Sequence, residues 1–140
     1  MLVPTRHFAT TKDAIDSLRR EDEQYGGSNN LQIMGMETTE KSQIYTNINY
    51  KPYYNNNNNN SSSSSSSSGN GGGGGGGGGV ALILGNEVTG VDTNIMDDLD
   101  AIIEIPTFGA KNSLNVAACA PVVLYEILRQ WNVSNSSDDG

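Results

Sequence analysis

Apolar and polar positions divide the first part of the chain into a helix, a strand and a looser segment. Apolar side chains recur at helical spacing over residues 12–20, and Thr10 or Thr11 can cap that helix. The run LQIMGM at 31–36 is short and apolar, which predicts a buried strand with polar residues at its carboxyl end. Residues 42–54 alternate only loosely, and this fits either a surface strand or an ordered loop.

The second part of the chain repeats the alternation of extended and helical segments. The pattern predicts strands at 80–84 and 101–105, a short helix at 93–99 capped by Asp92 or Thr93, and a final helix at 115–131. The apolar positions that recur in the final helix are Val116, Cys119, Ala120, Val123, Leu124, Ile127, Leu128 and Trp131. Strands that alternate with helices predict an α/β fold, with a parallel sheet flanked by helices.

Residues 55–79 are a tract of asparagine, serine and glycine, NNNNNNSSSSSSSSGNGGGGGGGGG. Such a composition cannot bury enough apolar area to offset the entropy of ordering it, so we expect a disordered surface insertion. The glycines lack the spacing and the lysine of a phosphate-binding loop. The polar tail at 132–140 is also expected to be disordered.

Composition restricts the function classes. The net charge is −8, and the chain from residue 80 onward contains nine acidic and two basic side chains. This balance is unusual for a protein that binds nucleic acid. Any grip on phosphates is therefore expected from another chain or from the basic residues of the first part, which are Arg6, Lys12, Arg19, Arg20 and Lys41. One cysteine and one histidine exclude an internal disulfide and a zinc site built from soft ligands, and we expect no metal.

No apolar run is long enough to span a bilayer, and the N-terminus lacks the apolar stretch of a secretory signal. We therefore expect a soluble intracellular protein of the cytoplasm without a membrane partner. The N-terminus can alternatively be interpreted as a mitochondrial presequence, because Arg6 and Lys12 precede the first acidic residue.

Two glycine- and amide-rich turns follow the predicted strands of the second part. In the first, GNEVTG at 85–90, the glycine spacing imitates a dinucleotide fingerprint, but Glu87 replaces the middle glycine and would repel a pyrophosphate. Glu87 suits a cationic ligand, such as the sulfonium or amino group of S-adenosylmethionine, or a hydrogen bond to a neighbouring loop. A tight strand-to-helix turn without a ligand is the alternative.

The second turn follows Pro106 and places Asn112, Ser113 and Asn115 at a helix entry. Its backbone groups are suited to reading the edge of an adenine. Capping of the helix by Ser113 or Asn112 is the alternative, and it explains one of the three polar side chains.

The amino-acid sequences of both turns resemble those of a known family. LILGNEVTGVD (82–92) and IEIPTFGAKNSLNVA (103–117) are similar to motifs 2 and 3 of the SpoU/TrmH family, the S-adenosylmethionine-dependent RNA ribose 2′-O-methyltransferases of the SPOUT class. The resemblance implies cofactor contacts at Gly85, Ile105 and Leu114, catalytic roles for Glu87, Ser113 and Asn115, a trefoil knot within 80–131, a homodimer, and tRNA or rRNA as substrate.

The sequence departs from the family pattern in two places. The first motif, an Asn-x-Gly-x-x-x-Arg element whose arginine helps to deprotonate the ribose hydroxyl, is absent, so residues 1–54 are expected to be the N-terminal part of a methyltransferase domain that is truncated at its N-terminus. Pro121 stands inside the final helix, where the family has a small residue. An RNA methyltransferase domain is therefore the leading hypothesis. The alternatives are a non-catalytic S-adenosylmethionine-binding or dimerisation module and a gene fragment that does not fold alone.

Overall fold

Five β-strands and two α-helices are present in the residues that the computed structural model describes, which are 4–25, 30–51, 53–54, 77–86, 88–109 and 114–135. The elements are α1 (Thr11–Tyr25), β1 (Leu31–Met36), β2 (Gln43–Ile44), β3 (Tyr53–Tyr54), β4 (Gly77–Leu84), β5 (Ala101–Glu104) and α2 (Val116–Asn135). Two short 3₁₀ helices, Tyr45–Asn47 and Thr93–Asp98, connect them.

The strands form one sheet in the order β2-β5-β1-β4-β3. The first four strands in that order are parallel, and β3 pairs antiparallel with β4 at the edge. In the register, Met36 lies opposite Leu84 of β4 and Ile103 of β5. The carboxyl ends of the parallel strands therefore meet at one edge of the sheet, which is where ligands bind in α/β folds. The expected α/β fold with a parallel sheet is confirmed.

Helices cover both faces of the sheet. Consecutive apolar side chains of β1, the central strand, point to opposite faces and pack against the helices there. Ile33 packs with Ile15 of α1 and Ile95 of the second 3₁₀ helix. Met34 packs on the other side with Val123 and Ile127 of α2. This arrangement explains why β1 is a continuous apolar run rather than an alternating one.

Helix α1 is fixed to the sheet by polar contacts, of which those of Asp22 are buried. Asp22, which is only 8% exposed, accepts hydrogen bonds from the backbone N–H of Leu31 (3.2 Å) and of Gly78 (2.7 Å). Arg19 forms an ion pair of 2.8 Å with Asp100, and the same carboxylate accepts from the Ile33 N–H. One helix thus positions the starts of β1 and β4 and the segment before β5.

The predicted caps are confirmed where the structure describes them. Thr10 caps α1 by accepting from the Asp13 N–H at 3.1 Å, and Asp92 caps the second 3₁₀ helix by accepting from the Asn94 N–H at 2.9 Å. Helix α1 continues to Tyr25, beyond the predicted end at residue 20. Its last turns bear mostly charged side chains, and tertiary anchoring through Asp22 and Arg19 stabilises them instead of an apolar stripe.

Two predicted boundaries were wrong. Strand β4 begins at Gly77, so the last three residues assigned to the disordered insertion, 77–79, are in the strand and paired with β1 or β3. Helix α2 runs to Asn135, so residues 132–135 of the predicted tail are helical. The rest of the insertion, 55–76, and of the tail, 136–140, lies outside the described residues.

The apolar positions predicted to line the buried face of α2 divide in two. Val123 and Ile127 are buried, whereas Leu124 and Leu128 are each 49% exposed on the outer face. The helix continues through Pro121, which stands near its start and so removes one hydrogen bond from the first turns.

Candidate functional site

A cleft of about 790 Å³ lies at the edge where the parallel strands end. Its walls come from the residues that directly follow β1, β4 and β5 and from the first turn of α2. The described residues that line it are Met36, Glu37, Thr38, Leu84, Gly85, Asn86, Gly90, Ile103, Glu104, Ile105, Thr107, Leu114, Asn115, Val116 and Cys119. The size is in the range of pockets that hold a small molecule or cofactor.

The turn after β4 closes on itself to form one wall. Asn86 and Gly90 exchange backbone hydrogen bonds of 2.9 and 2.8 Å, and the Asn86 side chain accepts from the Val88 N–H. A Cβ on Gly85 would lie 2.4 Å from the carbonyl carbon of Gly90, a distance that no side chain tolerates. Glycine at this position is therefore required by close approach of two backbone segments.

Asn115 forms the opposite wall and caps α2. Its side-chain oxygen accepts from the Ala117 N–H at 3.0 Å, and its carbonyl oxygen accepts from the N–H groups of Ala118 and Cys119. The predicted cap was Ser113 or Asn112, and both lie outside the described residues. Asn115 thus has a structural role as well as a place in the cleft.

Two carboxylates line the cleft in different environments. Glu104 Oε2 accepts from the Ser42 hydroxyl at 2.6 Å. Glu37 Oε2 is shielded from solvent and has no hydrogen-bond partner among the described residues. A buried polar atom without a partner raises the free energy of the folded protein, so Glu37 is the exceptional group of the site.

The charge of the cleft is negative. Among the described residues that line it, none is Lys, Arg or His, whereas Glu37 and Glu104 both contribute carboxylates. Such a lining favours a ligand with positive charge and disfavours phosphates. Cys119 also lines the cleft, and burial raises the pKa of its thiol, as expected of a packing thiol rather than a nucleophile.

Three of the five cations expected to grip phosphates are paired with carboxylates. Arg6 pairs with Glu21, Lys12 lies 3.2 Å from Asp16 and from Asp98, and Arg19 pairs with Asp100. The remaining two, Arg20 and Lys41, are exposed. The described surface therefore offers an RNA backbone fewer uncompensated cations than the sequence indicated.

Four of the six site residues predicted from the resemblance line this one cleft, namely Gly85, Ile105, Leu114 and Asn115. The other two, Glu87 and Ser113, lie outside the described residues. Sequence reasoning did not single out Glu37, although it directly follows a strand correctly predicted to carry polar residues at its carboxyl end. Asking which polar residue follows each parallel strand would have found it.

Neither a metal-binding cluster nor a membrane-spanning helix is found among the described residues. No group of three or more His, Cys, Asp or Glu side chains there is arranged to hold a metal ion. None of the described helices has the length and apolar character needed to traverse a bilayer.

Comparison with known proteins gives one match over most of the chain, to a family model, and shorter matches to individual relatives. The family model of the SpoU rRNA Methylase family matches residues 2–125. Individual relatives match over shorter segments. A tRNA/rRNA methyltransferase described as uncharacterised from Borreliella burgdorferi is 46% identical over 54 residues, which is 39% of this chain and 24% of the relative.

Two further relatives have more specific names. The tRNA (guanosine(18)-2′-O)-methyltransferase of Aquifex aeolicus is 43% identical over 49 residues, 35% of this chain and 23% of the relative. The 23S rRNA (guanosine(2553)-2′-O)-methyltransferase RlmP of Bacillus subtilis is 40% identical over 47 residues, 34% of this chain and 19% of the relative. The matched segments thus span less than a quarter of the length of these relatives. The family model, in contrast, covers most of the chain, and the chain belongs to the SpoU rRNA Methylase family.

Proposed function

We propose that this chain provides the S-adenosylmethionine-binding site, called the cofactor seat below, of an RNA ribose 2′-O-methyltransferase that acts on tRNA or rRNA. The observation that carries the proposal is that Gly85, Ile105 and Leu114, which come from three separate segments, line one cleft at the carboxyl edge of the sheet. The names of the relatives, which include guanosine 2′-O-methyltransferases of tRNA and rRNA, support the class of substrate.

The charge of the cleft supports the cofactor. S-adenosylmethionine has a sulfonium and an ammonium group against one carboxylate, so its net charge is positive. A cleft with Glu37 and Glu104, and without a basic side chain among its described lining residues, suits such a ligand. Nucleotide cofactors with phosphates would be repelled from the same walls.

The proposed reaction is a displacement at the methyl carbon. The ribose 2′ oxygen forms a bond to that carbon, the carbon–sulfur bond breaks, and its electron pair stays on sulfur to give S-adenosylhomocysteine. The hydroxyl proton must pass to a base, because a neutral ribose hydroxyl is a weak nucleophile. We assign Asn115 to orienting the reactants in the cleft, together with Glu87 and Ser113 on the basis of the resemblance.

The arginine that the family pattern uses to help deprotonate the ribose hydroxyl is not among these residues. The sequence has no Asn-x-Gly-x-x-x-Arg element, so this chain would hold the methyl donor and a different polypeptide segment would supply the catalytic arginine. This also favours a second candidate function, a cofactor-binding module that does not catalyse methyl transfer by itself.

Two measurements on the pure chain test these functions. Isothermal calorimetry is expected to detect binding of S-adenosylmethionine, and a chain that does not bind it would contradict both candidates. Transfer of a radiolabelled methyl group to tRNA or rRNA separates them. Incorporation supports the enzyme, whereas binding without incorporation supports the non-catalytic module.

We also propose that the chain forms a homodimer through the outer face of α2. Leu124 and Leu128 are each 49% exposed and Tyr125 is 79% exposed, although the opposite face of the helix is already in the core. A helix that is apolar on both faces is normally buried on both. Leu114, which is 48% exposed and lines the cleft, lies two residues before the start of α2, so a second copy docked along this helix would lie near the cofactor seat.

Light scattering coupled to size exclusion tests the dimer. The wild type is expected at twice the 14.9 kDa of one chain, and a variant with Leu124→Glu and Leu128→Glu at the mass of one chain. Gln24→Glu on the exposed side of α1 is the control and should leave the dimer intact. A monomeric wild type, or a dimeric double variant, would disprove this interface.

The family resemblance leads to a last structural proposal, a trefoil knot in the cofactor-binding region. Its support is that the turn after β4, the loop after β5 and the start of α2 together form one cleft. A crystal structure is expected to show the chain between Leu84 and Val116 threaded through a loop, and an unthreaded path would disprove the knot.

A further inference from the structure

Glu37 stands at a fixed place in the cleft. It directly follows β1, and its backbone N–H donates to the carbonyl oxygen of Ile103 at 3.1 Å, which extends the pairing of β1 with β5 by one residue. The side chain therefore starts from an ordered backbone in the middle of the parallel edge. Its Oε2 atom is shielded from water and without a hydrogen-bond partner among the described residues.

The turn after β4 is shaped around this carboxylate. Gly90 has a φ of +72°, and a Cβ there would lie 2.5 Å from Glu37 Oε1. The approach of backbone to the carboxylate thus depends on glycine. Glu104, the other carboxylate of the cleft, differs because Ser42 already donates to it.

We infer that Glu37 binds the positively charged part of the cleft's ligand, either the sulfonium or the ammonium group of S-adenosylmethionine. The inference rests on the proposed function of the cleft as the seat of that cofactor. A carboxylate with one shielded oxygen that lacks a partner is unfavourable in the ligand-free protein, and a cation or a charged donor in the cleft that Glu37 lines would stabilise it. Glu37 is thus a specificity-determining residue of the seat.

The substitution Glu37→Gln tests the inference because it keeps the shape and removes the charge. Binding of S-adenosylmethionine to the full chain, measured by calorimetry, should weaken about 10- to 100-fold, the range of charge-assisted hydrogen bonds. The unfolding temperature of the ligand-free variant should stay equal to that of wild type or rise, since an unpartnered carboxylate is lost. Glu40→Gln, which removes the same charge from an exposed position of the same loop, should leave affinity within about twofold.

Three ligands identify the group that Glu37 recognises. S-adenosylhomocysteine keeps the ammonium and lacks the sulfonium charge, and 5′-methylthioadenosine lacks both. If Glu37→Gln loses affinity for S-adenosylmethionine and S-adenosylhomocysteine but not for methylthioadenosine, Glu37 recognises the ammonium group. A loss for S-adenosylmethionine alone supports recognition of the sulfonium.

Other outcomes overturn the inference. Unchanged affinity for all three ligands means that Glu37 takes no part in binding. An equal loss for all three, methylthioadenosine included, or a fall in the ligand-free unfolding temperature means that Glu37 is structural. Each of these results leaves the cofactor seat intact as long as the wild type binds, whereas a wild type that binds no S-adenosylmethionine overturns the seat and this inference together.

Discussion

Replacing Asp22 by asparagine should destabilise the protein far more than a change of one surface charge. The Asp22 carboxylate is buried and receives the N–H groups of Leu31 and Gly78, one through each oxygen. Asparagine keeps one acceptor and turns its amide group toward the other N–H. Hydrogen bonds to charged groups contribute about 1.5–3 kcal/mol each, and one of the two is lost. We therefore expect a loss of about 2–3 kcal/mol in the free energy of unfolding.

Urea unfolding followed by circular dichroism at 222 nm measures this loss. Asp16→Asn, on the exposed side of the same helix, is the control, and its ion pair with Lys12 should contribute only about 0.3–0.5 kcal/mol. Amide exchange adds a local measurement, because the Gly78 N–H should exchange faster in Asp22→Asn and not in the control. Equal urea midpoints for the two variants would refute the claim that Asp22 anchors the starts of β1 and β4.

Three further predictions concern the cleft and α2. Gly85→Ala should abolish S-adenosylmethionine binding in calorimetry, because the added Cβ would lie 2.4 Å from the carbonyl carbon of Gly90; binding at wild-type affinity would contradict the steric argument. S-adenosylmethionine should slow alkylation of Cys119 by iodoacetamide, followed by mass spectrometry, and unchanged rates would place the ligand elsewhere. Hydrogen bonds from Arg129, and to a smaller extent from Gln130, lower the pKa of Glu126 from 4.5 to about 2. The contribution of Glu126 to the free energy of unfolding is therefore complete above pH 4.5 and is lost as the pH falls toward 2. Glu126→Gln should therefore be less stable than wild type at pH 6, by on the order of 1 kcal/mol, and nearly equal to it at pH 2 in urea unfolding.

Local patterns predicted the elements whose stability is decided locally. The apolar run of β1 and the caps at Thr10 and Asp92 were predicted correctly, because periodicity and short-range hydrogen bonds are visible in a few neighbouring residues. The start of β4 was not, because glycine has no strand propensity. Its pairing comes from β1 and from the Asp22 carboxylate, both distant in sequence.

The candidate site shows the same division. Gly85 and Leu114 were predicted through motifs that are continuous in sequence, and both line the cleft. Glu37 was missed because its distinguishing property is the absence of a partner in a folded cleft. That property belongs to the folded cleft, where Gly90, more than fifty positions away along the chain, approaches the carboxylate. The position of Glu37 directly after a parallel strand was the one signal that the sequence offered.

Because β3 pairs antiparallel with β4, the fold should tolerate an inserted domain between these two strands. Tyr54 lies opposite Gly77, so the two residues that flank the segment 55–76 are held side by side in the sheet. Doubling the length of a loop between such ends costs only about 0.6 kcal/mol in closure entropy. The pair also lies at the amino end of β4, and the cleft lies beyond its other end, about 25 Å away at about 3.3 Å for each strand residue. A fluorescent protein fused between Tyr54 and Gly77 should therefore report on this chain in cells without weakening S-adenosylmethionine binding, which calorimetry of the fusion can verify.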